Sequence, residues 1–152
     1  MQDRYKFKIW DKTEKKFLPL DSKTENTDSW ISIDNTGVYL VERDNARDVA
    51  FFTDITEDVI ILQCTGLKDK NGKLIYEGDI VSVKVKIQDS LYEDEYYFQN
   101  YKGGIIFEKG IIAIDVIDTT KHPISLYYHA KDCEVVGNIY ENPELLEIGV
   151  LA

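Results

Sequence analysis

Thr65-Gly66-Leu67-Lys68-Asp69-Lys70-Asn71-Gly72-Lys73-Leu74-Ile75-Tyr76-Glu77-Gly78-Asp79-Ile80-Val81 reads as β structure broken by two turns. Asn71-Gly72 has the residue types of a tight hairpin, since both tolerate positive φ at low cost. At Gly78-Asp79 the chain breaks again: glycine permits a sharp bend and the aspartate can bond nearby amides. Val81, Val83, Val85 and Ile87 then alternate with Ser82, Lys84 and Lys86, the period of two that a half-buried strand requires.

Toward the N-terminus, Tyr5, Phe7 and Ile9 alternate with Arg4, Lys6 and Lys8, which predicts a first strand. A polar turn is expected over 11–16 and a short edge segment over 17–20, because Pro19 cannot donate to a ladder. Residues 21–29 are polar and aperiodic and are expected to form a loop. Ile31 and Ile33, then Val38 and Leu40, flank Asp34-Asn35-Thr36-Gly37; the pattern predicts a hairpin with Gly37 free to take positive φ. Residues 44–52 are expected to form a short helix capped by Asp44, and Val59-Ile60-Ile61-Leu62 a strand covered on both faces.

Toward the C-terminus, residues 89–104 mix acids with aromatics. Strands are expected over 105–107 and 111–116, turning at Glu108-Lys109-Gly110, and again over 126–129 and 135–140. Asn142-Pro143-Glu144 predicts a capped helical turn that tacks Leu145 and Leu146 onto the core. Many short strands between Gly, Asn and Asp turns indicate a mainly β sandwich or small barrel.

The chain has 152 residues, 43% hydrophobic and 30% charged, which suits one folded domain over 1–152 with room for an N-terminal β lobe over 1–60. Eighteen Lys and Arg against 28 Asp and Glu leave a formal net charge of −10. That field opposes phosphate backbones and anionic lipid, so nucleic acid would need a local basic patch, and no basic amphipathic helix is present to bind a membrane surface. The start, Met1-Gln2-Asp3-Arg4-Tyr5-Lys6, does not resemble a signal peptide and no apolar run is long enough to span a bilayer. A cytoplasmic protein with reduced Cys64 and Cys133 is expected.

The candidate chemistry is sparse. Gly66 and Gly72-Lys73 have the wrong spacing for a phosphate-cradling loop, and a calcium loop there would place Leu67 and Gly78 at ligand positions. Cys64, His122, His129 and Cys133 lack the close pairing that pre-forms half a zinc site, and the same two histidines have no nucleophile elbow beside them. No catalytic, metal or cofactor site is therefore expected. Two surfaces remain: an acidic and aromatic one, Tyr92, Glu93, Asp94, Glu95, Tyr96, Tyr97 and Tyr101, whose carboxylates could imitate nucleic acid toward a protein partner, and a basic stripe, Lys6, Lys8, Lys84 and Lys86.

The 65–81 stretch resembles the signature block of the YopX family of bacteriophages and prophages. Val135-Val136-Gly137-Asn138-Ile139-Tyr140-Glu141-Asn142-Pro143-Glu144-Leu145-Leu146 is similar to that family's C-terminal block, and Lys6-Phe7-Lys8-Ile9-Trp10-Asp11 to its usual start. The three blocks cover about a quarter of the chain. The resemblance implies a small SH3-like β-barrel with additional strands and a short C-terminal helical turn, encoded by a phage, and it supplies no catalytic residue. Residues 18–58 and 88–130 lie outside the three blocks, and the resemblance does not extend to them. The expected function is that of a non-catalytic phage accessory protein, acting through self-association and contacts with a host or phage protein. A nucleic-acid-associated module is the alternative and a hydrolase built on His122 and His129 the third reading.

Overall fold

The computed structural model describes residues 3–88, 91, 95–117 and 122–147, with the side chain of Arg4 outside the description. The described chain is mostly strand, with one short α-helix, so the mainly β expectation holds. It divides into two compact units, Lys8–Ile61 and a larger one that combines Met1–Phe7 with Leu62–Ala152.

In the smaller unit, β1 (Phe7–Asp11) pairs antiparallel with β2 (Lys16–Leu18), Trp10 facing Phe17. The predicted turn between them is built by Asp11, whose Oδ1 accepts the amides of Thr13 and Glu14 at 2.8 Å each. Strand structure begins later than the alternation implies. Residues Asp3–Tyr5 form a 3-10 turn closed by the Lys6 amide on the Asp3 carbonyl, which leaves Tyr5 exposed.

The polar run 21–29 is not a loop. It forms β3 (Asp21–Lys23) and the start of β4 (Thr27–Ile33), because Thr24 and Thr27 close a tight turn through their own backbone and the Thr24 hydroxyl. Apolar periodicity was absent because β3 is exposed throughout and the start of β4 is only half-buried. The predicted hairpin joins β4 to β5 (Val38–Asp44) with Ile33 opposite Val38. Gly37 is required there for space and not for positive φ: a Cβ would lie 2.3 Å from the Thr56 hydroxyl.

The short helix expected over 44–52 is also corrected. Asp44 accepts the amides of Ala46 and Arg47, but those bonds close a turn in which Asp48 takes φ 54. The chain then returns as β6 (Val49–Asp54), and the sheet order is β3-β4-β5-β6.

β7 (Val59–Lys68) begins in the smaller unit, and in the larger unit its second half forms a hairpin with β8 (Leu74–Tyr76). The 59–62 run is not covered on both faces, since Ile61 is 39% accessible while Leu62 is buried. Of the turn pair Asn71-Gly72 only Gly72 takes positive φ, at 80°, and Gly66 does so at 76° where the β7–β8 register shifts. The hairpin's organiser is Asp69, 5% accessible, which the sequence reading left unmarked. Oδ1 accepts the amides of Asn71 and Lys73 at 2.9 Å each, and Oδ2 accepts the Val135 amide at 3.0 Å. Asp69 thus ties the 65–81 block to the 135–146 block. Burial raises its pKa, but the three amides outweigh burial and hold it below the usual carboxylate value.

β9 (Asp79–Gln88) begins at the predicted break, with Gly78 at φ 79° and the Asp79 carboxylate accepting the Tyr76 amide at 2.8 Å. It belongs to a curled five-stranded sheet, β12-β11-β10-β9-β13, formed with β10 (Tyr96–Glu108), β11 (Ile111–Val116), β12 (Ile124–Ser125) and β13 (Cys133–Asn138). β10 and β11 turn at Lys109-Gly110 as predicted, but β10 runs back to Tyr96, well beyond the apolar 105–107 core. The expected strand over 126–129 is instead α1 (Leu126–His129) followed by a 3-10 turn, Ala130–Asp132. Leu126, Ala130 and Cys133 enter the core with Ile75, Val81, Val83, Ile105 and Ile114, so the spacing there is helical. The C-terminal turn is Pro143–Leu146, but Asn142 does not cap it; its Oδ1 receives the Asn138 amide at 3.3 Å.

Cys64 and Cys133 are free and buried. Burial pushes the Cys133 thiol up to about 11, where roughly one molecule in a thousand holds a thiolate at pH 8. A thiol reagent at that pH is expected to titrate essentially none of the two cysteines in the native protein and both in denaturant. Rapid native modification would contradict the burial.

Candidate interaction surface

The outer halves of β9 and β10 leave the core and carry most of the described residues singled out from sequence. Their register sets Phe98 opposite Lys86 and Asn100 opposite Lys84, so Lys84, Lys86, Tyr96 and Phe98 share one face of the pair. Each lysine leans diagonally over a ring: Lys84 Nζ lies 4.8 Å from the Phe98 centroid and Lys86 Nζ 3.6 Å from that of Tyr96. The two rings meet edge to face at 5.7 Å. Such contacts contribute about 0.5–1 kcal/mol each where water reaches them, and they hold the aromatic faces in place while both rings stay more than half accessible.

On the other face, Ile87, Val85 and Val83 stand opposite Tyr97, Gln99 and Tyr101. Tyr97 is exposed, whereas Tyr101 packs against the core and donates its hydroxyl to Gln99 at 3.0 Å. The tyrosines adjacent in sequence are therefore divided between faces, as strand geometry requires. Glu95 is exposed immediately before β10; Tyr92, Glu93 and Asp94 lie outside the described residues.

The four lysines of the basic stripe are not on one strand or in one sheet. Lys6 precedes β1 and pairs with Asp3 at 2.9 Å, a contact that raises its pKa; Lys8, on β1, sits 5.6 Å from the Phe17 ring. Lys84 and Lys86 are combined with aromatic residues, a combination absent from either surface as read from sequence. The alternation of β9 offered half of the signal. The other half, the strand character of 96–104, was hidden because its aromatic residues run together without a period of two.

Open grooves also lie among the described residues. One of about 450 Å³ in the smaller unit is lined by Asp11, Leu18, Leu40 and Val59. In the larger unit, grooves of about 310 and 800 Å³ share Leu67 and the exposed Tyr127. Among the described residues no group of three or more His, Cys, Asp and Glu side chains could hold a metal ion, and no helix is long and apolar enough to cross a membrane.

No curated protein matches the chain. Among solved structures, the crystal structure of protein EF1440 from Enterococcus faecalis aligns over 93% of this chain and 97% of its own, with 24% identity and a TM-score of 0.52, a likeness of fold. The family model described as YopX protein matches residues 6–147, nearly the whole described chain, and the chain belongs to that family.

Proposed function

We propose that this chain is a non-catalytic phage accessory protein that works by protein–protein contact, through self-association and through the outer β9–β10 pair. The observation that carries this reading is the Lys84–Phe98 and Lys86–Tyr96 arrangement, in which exposed rings are held ready by cations instead of being buried. Pre-ordered aromatic side chains are the usual anchors of protein interfaces because they bring large area at small entropic cost. The net charge of −10 favours a basic partner surface. With a photo-reactive residue in place of Asn100, which is exposed and shares the lysine face, cross-linking in infected host cells is expected to capture a discrete protein, at least tenfold less when Tyr96 and Phe98 are both changed to Ser. Equal capture by the double variant would remove the surface from the proposal.

One observation favours a second reading, association with nucleic acid. Lysines and rings alternating along one sheet face are also a stacking platform for single-stranded bases. The two readings separate by titration with oligothymidylate at about 50 and 300 mM salt: binding that weakens with salt and with Lys84→Met and Lys86→Met would transfer the function to nucleic acid.

A further inference from the structure

The sheet β3-β4-β5-β6 has two unlike edges. β3 is three residues long and presents Asp21 and Lys23, the short charged form in which natural edges avoid pairing. β6 reads Val-Ala-Phe-Phe-Thr-Asp and is exposed along all six residues, Phe51 at 60% and Phe52 at 68%. It pairs with β5 without a bulge and contains no lysine or proline. An edge that is long, flat, apolar and unprotected is the form that recruits another strand.

Register decides which backbone groups that edge offers. Ile55 donates its amide to the Val38 carbonyl, and by antiparallel alternation Thr53, Phe51 and Val49 also turn their N–H and C=O groups to β5. Ala50, Phe52 and Asp54 therefore turn theirs outward. A second β6 laid antiparallel with Phe52 opposite Phe52 uses all three outward residues and forms about six N–H···O bonds. Centring on Phe51 gives about four and sets Asp54 against Asp48. The Phe52 register continues a side-chain row already present, since Trp30, Val41 and Phe52 are aligned across β4, β5 and β6 on one face.

We infer that β6 is a self-association site: two copies pair β6 to β6 about a two-fold axis at Phe52, joining two four-stranded sheets into one. The inference rests on the self-association part of the proposed function and adds its surface and register. The test is sedimentation velocity on the full chain over a concentration series, for wild type, Phe52→Lys and Ala50→Pro. Ala50→Pro removes an amide that faces away from β5, and Phe52→Lys changes a side chain that is exposed on the sheet face. Wild type is expected to dimerise, and each variant to weaken dimerisation at least tenfold with an unchanged circular dichroism spectrum. Oxidative cross-linking gives a readout that does not depend on weakening the fold. Phe52→Cys is expected to form a covalent dimer, because opposed residues of a hydrogen-bonded pair sit about 5.5 Å apart, within disulfide reach, whereas Asp54→Cys is expected to form no covalent dimer. A dimer that persists in both variants, or cross-links equally through Asp54→Cys, overturns the β6 interface and leaves self-association standing. A wild type that remains monomeric at every concentration overturns both.

Discussion

Asp69→Ala is expected to cost about 3 kcal/mol of folding stability, because one buried carboxylate serves three backbone amides in two separate parts of the chain. The amides of Asn71 and Lys73 belong to exposed residues and recover part of their loss by hydration. The Val135 amide is half-buried and 66 positions away in sequence; without Asp69 it has less access to a replacement partner, and a buried donor left unpaired costs about 1–3 kcal/mol. Urea denaturation measures the total, and hydrogen exchange at Val135 locates it. Unchanged exchange at that amide would sink the proposed tie between the two blocks. Asp69→Asn is expected to lose less, since its carbonyl still accepts.

The same site fixes a pH dependence. The amides hold the folded carboxylate below its ordinary value, so its contribution is complete above the unfolded value of about 4 and is lost as pH falls through the folded one. Wild-type stability should therefore decline more steeply in acid than that of Asp69→Asn. Parallel acid profiles for the two would show that Asp69 does not fold as an anion.

Gly103→Ala is the second large effect. A Cβ at Gly103 would lie 2.3 Å from the Asp115 carbonyl oxygen, 2.7 Å from its carbon and 2.9 Å from Ile114 Cγ2. Two of those atoms are backbone of the neighbouring β11, and Gly103 pairs there with Val116. Relief requires moving the strands apart beside the core, at about 3 kcal/mol or more, or a melting temperature lower by roughly 10 °C for a chain of this length. Gly72→Ala is the internal comparison: it meets nothing within 4 Å but has φ +80°, and a left-handed backbone alone costs about 1–2 kcal/mol. A loss at Gly103 no greater than that at Gly72 would show that the strands yield without strain.

Much of the larger unit was legible in the residues. The hairpin at 71–72, the bend at Gly78, the alternation through β9 and the turn at Lys109-Gly110 all depend on local chemistry, and each occurs where the residue types require it. Reading was weakest where an element takes its identity from a neighbour. β3 has no apolar face to reveal it, β6 is exposed on both faces, and the outer half of β10 is a strand because it pairs with β9. The segment 126–129 failed for the opposite reason: its leucine and tyrosines have strand character, but Leu126 and Ala130 meet the core only at helical spacing.

The candidate surface follows the same division. Alternation along β9 by itself determined that Lys84 and Lys86 share a face, and the aromatic cluster at 96–98 was visible as composition. Only the tertiary structure decided that Phe98 stands opposite Lys86, that Tyr96 and Tyr97 point to opposite faces, and that Tyr101 supports the core. In the same way the sequence by itself determined a turn at 69–73, while the bond from Asp69 to Val135 waited for the fold. The physical reason is common to both: turn preference and side-chain period are properties of consecutive residues, whereas register and a long-range partner exist only once distant strands have met.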